Sequence, residues 1–285
     1  MIQAWRALRR AKFAVPGLVI VLGFVAVGLF APLVATHDPY ASNLADVLLD
    51  PSQSHWFGTD ELGRDVFSRV VYGARLSLLE GVASVALAMV VGVPLGVLAG
   101  YAGGVADALL MRAIDILMAF PGVLLAIVIV SILGPSLVNA VIAVGIYSLP
   151  IFARLARGST MAIKPLPFIE GCRATGLGHA RILWRHVLPN IAGTLSVLAV
   201  LRIAIAILTT ASLSFLGLGA QPPTPEWGAM LSNGRDALLV APSAALFPGV
   251  CIILLVLGLN LLQNGLEQMF GPRARARAVN PSRLA

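Results

Sequence analysis

The sequence predicts an all-α membrane protein with six transmembrane helices. Hydrophobic residues make up 58% of the 285 positions and charged residues only 12%, a composition that soluble globular domains do not reach. The apolar residues fall into uncharged runs long enough to cross a bilayer. The basic residues collect on one side of these runs, which is the bias of cytoplasmic segments. Together these three observations predict a polytopic membrane protein.

The first span and the connector after it can be placed from charge alone. Residues 1–12 are basic. Residues 13–36 contain no charged side chain. This run can cross about 30 Å of hydrocarbon, and it is too long for the apolar region of a cleaved signal peptide. We therefore expect a retained transmembrane helix at 13–36. A polar connector with seven acidic residues fills 37–80.

Five further helices are expected in a core at 81–266. Glycines at 92, 96 and 100 form a small-residue ridge that predicts close helix packing. The uncharged stretch 116–153 is too long for one span, and Gly134-Pro135-Ser136 predicts a tight turn between two antiparallel helices. A fifth span is expected near 195–218 and a sixth within 237–266. The Pro- and Gly-rich segment 219–236 between them predicts an irregular loop.

Arg202 lies inside the expected fifth span. An arginine at the centre of a transmembrane helix costs about 2.5–3.5 kcal/mol on insertion scales. Three interpretations remain open: the side chain faces a water-filled path, pairs within the bundle, or extends towards the basic loop. Arg202 is therefore a candidate pathway residue.

The distribution of lysine and arginine gives the orientation. Of the 20 such residues, fifteen lie in 1–12, at Arg112, in 154–185 and in the tail 267–285, and four lie in 37–80 and 219–236. The positive-inside rule places the first group, with both termini, in the cytoplasm and the acidic connector outside. The net charge of +7 is then explained without a nucleic-acid partner.

The cytoplasmic segment 157–190 is the longest polar interruption of the second half. Pro167 can begin a short helix with Glu170 in its first turn. A second amphipathic helix follows, which we expect to bury Leu183, Trp184 and Leu188 and to end at Pro189. Spacing alone leaves two interpretations open: a docking element for another protein, or an amphipathic segment on the lipid surface.

Several kinds of chemistry are missing from the sequence. The only lysines are Lys12 and Lys164, so no phosphate-binding GxxxxGK[ST] loop exists. The four histidines are scattered and the two cysteines lack ligand spacing, so we expect neither catalytic residues nor a metal site. The uncharged runs argue against an ion-coupled carrier, although a stand-alone channel or secondary carrier stays open as an alternative.

The segment 157–190 resembles the EAA loop of ABC importer permeases. The family pattern is Glu-Ala-Ala, three residues, Gly, nine residues, Ile, one residue, Leu-Pro. Four positions are in register: Glu170, Gly176, Leu188 and Pro189. Three differ: Gly171 and Cys172 replace the alanines, and His186 replaces the isoleucine. The resemblance implies that these residues, with Ala174, couple the chain to an ATPase, Gly171 and Cys172 being small enough for close contact.

Two other stretches resemble the second permease subunit of dipeptide, oligopeptide and nickel importers. Residues 55–69 resemble its external segment before the second span, and residues 212–228 resemble the end of its fifth span and the following loop. The resemblance makes five residues candidate contacts for a binding protein or the cavity mouth: Asp60, Arg64, Asp65, Glu226 and Trp227.

The resemblance also implies an architecture and a set of partners. The expected fold is the type I ABC importer (MetI-like) permease fold, in a bacterial or archaeal inner membrane. The expected partners are a homologous permease in a heterodimer, two cytoplasmic ATPases that bind ATP and Mg²⁺, and an extracytoplasmic binding protein. This chain itself would hold no cofactor. The expected cargo is di- or oligopeptides, with nickel or glutathione as the alternatives.

Overall fold

The computed structural model describes residues 13–270, and every regular element in that range is helical. The helices are α1 (Ala14–Leu29), α2 (Ala31–Val34), α3 (Val66–Ala102), α4 (Gly104–Met118), α5 (Gly122–Leu133), α6 (Leu137–Ile163), α7 (Pro167–Ala174), α8 (His179–Ile182), α9 (Leu188–Phe215), α10 (Trp227–Gly234) and α11 (Ser243–Phe270). The basic segment 1–12 and the tail beyond residue 270 lie outside the described residues.

The spans agree with the expected six-helix membrane fold. Within residues 13–270, four helices are long and apolar enough to cross a membrane: α3, α6, the continuous helix 179–215 and α11. Helices α4 and α5 meet at an angle of 85° and together can form one broken span. Helix α1 is apolar but has only 16 residues. These six units are compatible with the predicted number of spans.

Helix α3 begins earlier than the sequence suggested, so the connector does not extend to residue 80. The Asp65 carboxylate accepts a hydrogen bond from the backbone N–H of Ser68 at 2.8 Å and thereby caps the helix at Val66. The 37 residues of α3 extend about 55 Å, which exceeds the hydrocarbon thickness of about 30 Å. The N-terminal part of α3, which includes Glu80, therefore extends beyond the hydrocarbon towards the connector.

The glycine ridge of α3 packs directly against α6, as predicted. A Cβ atom on Gly92 would lie 2.7 Å from the Leu149 carbonyl oxygen, and one on Gly100 would lie 2.6 Å from that of Arg157. Both distances are too short for a real contact, so only glycine permits this approach of the two backbones. The pair α3–α6 forms the centre of the bundle.

The turn between α5 and α6 is also confirmed. It lies at Gly134-Pro135-Ser136, where the Ser136 hydroxyl accepts a hydrogen bond from the Asn139 N–H at 3.1 Å and caps α6. Gly122 at the start of α5 lies against the Tyr147 ring, so the two helices run antiparallel. The sharp bend before α5, at Pro121, was not expected from hydropathy.

Pro189 does not end a helix. Residues 179–215 form one continuous helix, in which a π-helical turn at Leu183–Val187 joins α8 to α9. Proline removes an N–H and its ring clashes with the carbonyl oxygen four residues earlier in an α-helix. The wider π turn just before Pro189 relieves this conflict. The expected separate second helix is therefore the first part of the fifth span.

Candidate functional site

The short helix α7 lies at one end of the bundle, which we call the coupling-loop end (residues 157–190). Its Ile169 side chain is completely buried and holds the helix against the bundle. Cys172 is half-buried on the same side, whereas Glu170, Gly171 and Ala174 are exposed. Phe168 is 43% exposed. Helix α7 thus presents an outer face that combines a carboxylate, an aromatic ring and small residues.

Gly176 ends α7 in a Schellman arrangement. Its φ is +78°, its N–H donates to the Arg173 carbonyl at 2.9 Å, and the Leu177 N–H donates to the Cys172 carbonyl at 3.1 Å. A Cβ atom on Gly176 would meet no atom of the described residues within 4 Å. The glycine is therefore required here by the left-handed backbone conformation, and the space beside it is open.

Gly171 differs from Gly176 because nothing in residues 13–270 requires a glycine there. It lies inside α7, and a Cβ atom on it would also meet no described atom within 4 Å. A glycine in a helix interior destabilises the helix by about 0.5–1 kcal/mol relative to alanine. The stability of the chain therefore does not explain why position 171 is a glycine with open space beside it.

The second half of the EAA-like pattern lies apart from the first. Leu188 is half-buried at the start of α9, and Pro189 is exposed beside it. Trp184 is 74% exposed, so the expectation that it is buried against the spans is wrong. Ile182 and Val187 are the fully buried side chains of this stretch instead. The π turn changes which residues of the segment face the bundle.

Tyr101, which the sequence analysis did not single out, joins the coupling-loop end to the central helix α3. Its hydroxyl and the His179 Nδ1 share a hydrogen bond of 2.9 Å. The Arg173 guanidinium lies 5.3 Å from the centre of the Tyr101 ring, and the Lys164 ammonium lies 5.9 Å from it. Tyr101 thus contacts side chains that precede α7, lie within it and follow it in the chain.

At the opposite end, which we call the connector end (residues 35–65 and 219–236), Asp60 and Arg64 form a shielded ion pair. The Arg64 Nε donates to an Asp60 carboxylate oxygen at 2.7 Å, and Arg64 is 4% exposed. Arg69 lies 3.4 Å from the same carboxylate and donates to the carbonyl oxygens of Pro39 and Pro223. This network fastens the connector to the segment 219–226.

Asp60 and Arg64 also line a cavity of about 200 Å³ between the connector and the helices α10 and α11. Its polar and apolar walls also include Arg69, Pro222 and Asn233. The pocket lies at the connector end, where the sequence analysis expected the mouth of the pathway. Its lining comes from three segments that are distant in the chain.

Glu226 and Trp227 are internal, so neither side chain is placed to contact a binding protein directly, and their assignment to the cavity mouth stays a prediction. Both side chains are completely buried. The Glu226 carboxylate accepts hydrogen bonds from the backbone N–H groups of Gly228 and Ala229 at 2.8 and 2.9 Å and caps α10. Burial raises the pKa of the Glu226 carboxyl, against the opposing effect of these two N–H groups. Of the segment 219–236, which was expected to be irregular, residues 227–234 are helical and residues 219–226 have no regular structure.

Trp227 holds the connector end together. Its indole N–H donates to the Val70 carbonyl oxygen at 3.0 Å, and the Phe24 ring meets it edge to face with centroids 5.7 Å apart. Gly73 lies beneath the indole, where a Cβ atom would come within 2.5 Å of the ring. Trp227 therefore packs α1, α3 and α10 against one another.

Glu80 is a buried acid that the sequence analysis assigned to the polar connector. It lies inside α3 and is 1% exposed. Its carboxyl group lies close enough to that of Glu226 for the two to interact electrostatically, and neither of its oxygens has a hydrogen-bond partner among the described residues. Two acids on different elements thus meet below the connector end, a feature that no local pattern could reveal.

Arg202 pairs within the bundle. It is 7% exposed, and its guanidinium donates to the Ser148 hydroxyl of α6 at 2.9 Å. The guanidinium carbon also lies 5.2 Å from the centre of the Tyr147 ring. Of the three interpretations left open above, the structure selects internal pairing; its part in a pathway stays a prediction.

Three residues at the connector end could hold a metal ion, although the sequence analysis expected no metal site. His37, His55 and Asp65 each offer one ligand atom, and these atoms lie within 4.8 Å of one another. Sequence spacing gave no sign of this group because its members come from three separate segments. Asp65 is the α3 cap described above.

Comparison with known proteins gives consistent matches. Residues 92–276 match the family described as binding-protein-dependent transport system inner membrane component, and residues 1–51 match the N-terminal transmembrane domain of oligopeptide transport permease C. The dipeptide transport system permease protein DppC of Alkalihalophilus pseudofirmus is 46% identical over 96% of this chain and 90% of its own length. The glutathione transport system permease protein GsiD of Pectobacterium atrosepticum is 46% identical over 96% and 91%.

A solved structure shares the fold. It is that of the MetNI methionine ABC transporter in an inward-facing conformation, with a TM-score of 0.56 and 21% sequence identity. The match covers 74% of this chain and 96% of the matched chain. The described helices therefore have the MetI-like arrangement that the sequence analysis expected.

Proposed function

Because the chain belongs to the family of binding-protein-dependent transport system inner membrane components, we propose that it is the permease subunit of an importer for small peptides. Its dipeptide and glutathione transport relatives, at 46% identity, support this cargo class, since glutathione is itself a tripeptide. Nickel remains the alternative cargo from the sequence analysis.

The observation that carries the proposal is the open face of α7. We infer that α7 docks on a cytoplasmic ATPase, with Glu170 as a hydrogen-bond acceptor and Gly171 and Ala174 allowing close approach. Ile169 fixes the helix to the bundle, so a movement of the docked partner would move the helix as a rigid unit. Tyr101 and its contact with His179 would transmit that movement to α3.

Transport would follow from closure of two such ATPases around ATP and Mg²⁺. Each permease of a heterodimer would contribute a docking helix, and ATP would favour one of two cavity orientations because it binds one state better. A binding protein would deliver peptide at the connector end, in the orientation given by the positive-inside rule. This chain would supply the path and no catalytic residue.

The proposal is tested by reconstitution in lipid vesicles. The full-length chain with its permease partner, both ATPases and the loaded binding protein should accumulate labelled peptide only when ATP is present. The same vesicles without the ATPases should show no uptake. Uptake by this chain alone, without ATP, would support the channel or carrier alternative and reject the proposal.

The cargo is tested separately. Mass spectrometry of the ligand that co-purifies with the binding protein encoded beside this chain should identify a di- or oligopeptide. If the bound ligand is glutathione, the cargo is a tripeptide and the small-peptide assignment stands. A nickel complex would contradict the peptide assignment and leave the importer assignment intact.

A further inference from the structure

The connector end contains an arrangement of side chains that transport does not explain. The imidazole rings of His37 and His55 are stacked with centroids 4.7 Å apart and an angle of 28°. The Asp65 carboxylate is in reach of both rings, with its Oδ1 2.9 Å from the His55 Nδ1 and its Oδ2 3.8 Å from the His37 Nδ1. We propose that His37, His55 and Asp65 form a binding site for a divalent transition-metal ion of the zinc class.

The distances suit this class of ion. Zinc binds imidazole nitrogen and carboxylate oxygen at about 2.0–2.2 Å, which places tetrahedral ligand atoms about 3.3–3.6 Å apart. The two separations from Asp65, 2.9 and 3.8 Å, lie on either side of that value. All three ligand atoms lie within 4.8 Å of one another, so binding requires the two imidazole side chains to rotate towards the ion.

The ligand types select against the common hard cations. Two imidazoles and one carboxylate favour zinc, copper, nickel or cobalt, whereas Mg²⁺ and Ca²⁺ prefer sites built from oxygen. Each imidazole binds as the neutral tautomer, through the nitrogen that carries no proton. Three protein ligands leave the fourth position to water, so the site is open rather than closed.

The surroundings already hold the ligands in place. Asp65 is fixed by the Ser68 N–H at 2.8 Å and by the Ser68 hydroxyl at 2.7 Å. The His37 backbone N–H donates to the same hydroxyl at 2.9 Å. Such outer hydrogen bonds orient metal ligands and tune their affinity.

The exposure of the three groups gives an ion access from one side. The side chain of Asp65 is 1% exposed, that of His55 is 13% exposed and that of His37 is 42% exposed. A buried acid thus forms the base of the site and His37 its solvent-facing wall. A bound ion would join the end of the first span, the connector and the start of α3, and would stabilise their contact.

The test uses the full-length chain assembled with its partner subunits and stripped of metal with a chelator. Zinc alone should bind and should raise the melting temperature, whereas Mg²⁺ at the same concentration should do neither. Cobalt should bind competitively and produce the visible absorption of a nitrogen- and oxygen-ligated ion. Failure of zinc to bind would overturn the proposal, whatever the outcome of the transport test.

Variants locate the ion. His37→Ala removes a half-exposed ligand without touching the α3 cap, so the metal-free protein should melt as the wild type does while zinc binds at least about tenfold more weakly. His186→Ala, at the coupling-loop end, is the matched control and should bind zinc normally. Equal zinc affinity in the wild type and His37→Ala would show that the ion binds elsewhere and would also overturn the proposal.

Discussion

Gly171→Leu separates docking from folding more sharply than a change at Gly176. Gly176 has φ +78°, where a side chain costs about 1–2 kcal/mol whatever its partner. Gly171 lies within α7, and its Cβ atom would meet nothing within 4 Å. Leucine there should stabilise the isolated chain by about 0.5–1 kcal/mol through helix propensity. Any functional loss must then come from a partner.

The size of that loss follows from packing against the ATPase. Extra methylene groups in a well-packed contact cost about 1–3 kcal/mol, which corresponds to roughly five- to a hundredfold weaker docking. We expect Gly171→Leu to reduce peptide uptake and binding-protein-stimulated ATP hydrolysis in vesicles by that order. Its melting temperature should equal or exceed that of the wild type.

Gly23→Leu is the matched control. Gly23 also has open space around its Cβ position, but it lies in α1, far from α7 in the chain. It should gain the same helix propensity and keep full transport. If assembled Gly171→Leu complexes transport and hydrolyse ATP at wild-type rates, α7 is not the docking helix.

Three further predictions concern the bundle. Gly96→Leu would place its Cβ against the Ala153 carbonyl group, so we expect at least about 1–3 kcal/mol of destabilisation; an unchanged melting temperature would contradict the packing. Glu80→Gln replaces one of two interacting buried carboxyl groups with an amide of the same shape, so thermal unfolding should shift upwards or not at all, and a clear fall would refute this. Tyr101→Phe should lower the free energy of unfolding by about 0.5–1.5 kcal/mol. Adding His179→Ala should lower it little further, because the two side chains share one hydrogen bond. Additive losses in the unfolding experiments would show that the two side chains are independent.

The sequence could predict the features that depend on local pattern. Uncharged runs identify spans because each must satisfy its own backbone hydrogen bonds within the membrane. The glycines at 92, 96 and 100 predicted a close helix contact, since four-residue spacing places them on one helix face, and the structure shows that the partner is α6. The turn at Gly134-Pro135-Ser136 could be predicted because a Gly-Pro pair interrupts a helix. The family resemblance at Glu170 and Gly176 located α7.

Predictions from sequence patterns failed where two local signals favoured different conformations of the same segment. Acidic residues up to Glu80 suggested that the polar connector extends that far, yet Asp65 caps a helix that begins at Val66 and includes Glu80. Pro189 suggested a helix end, yet the π turn at Leu183–Val187 carries the helix past it. That turn also left Trp184 exposed. In each case the conformation depended on how the segment packs, which composition does not record.

Only the tertiary structure decided which distant residues meet. Spacing marked Glu226 and Trp227 as loop residues, whereas packing buried both and joined Trp227 to Val70, 157 positions away. The sequence left Arg202 with three possible environments, and the approach of α6 to α9 selected Ser148 as its partner. Hydrophobic periodicity specifies which face of a helix is buried, but not which helix covers it. That choice depends on the shape of both surfaces, which exists only once the chain has folded.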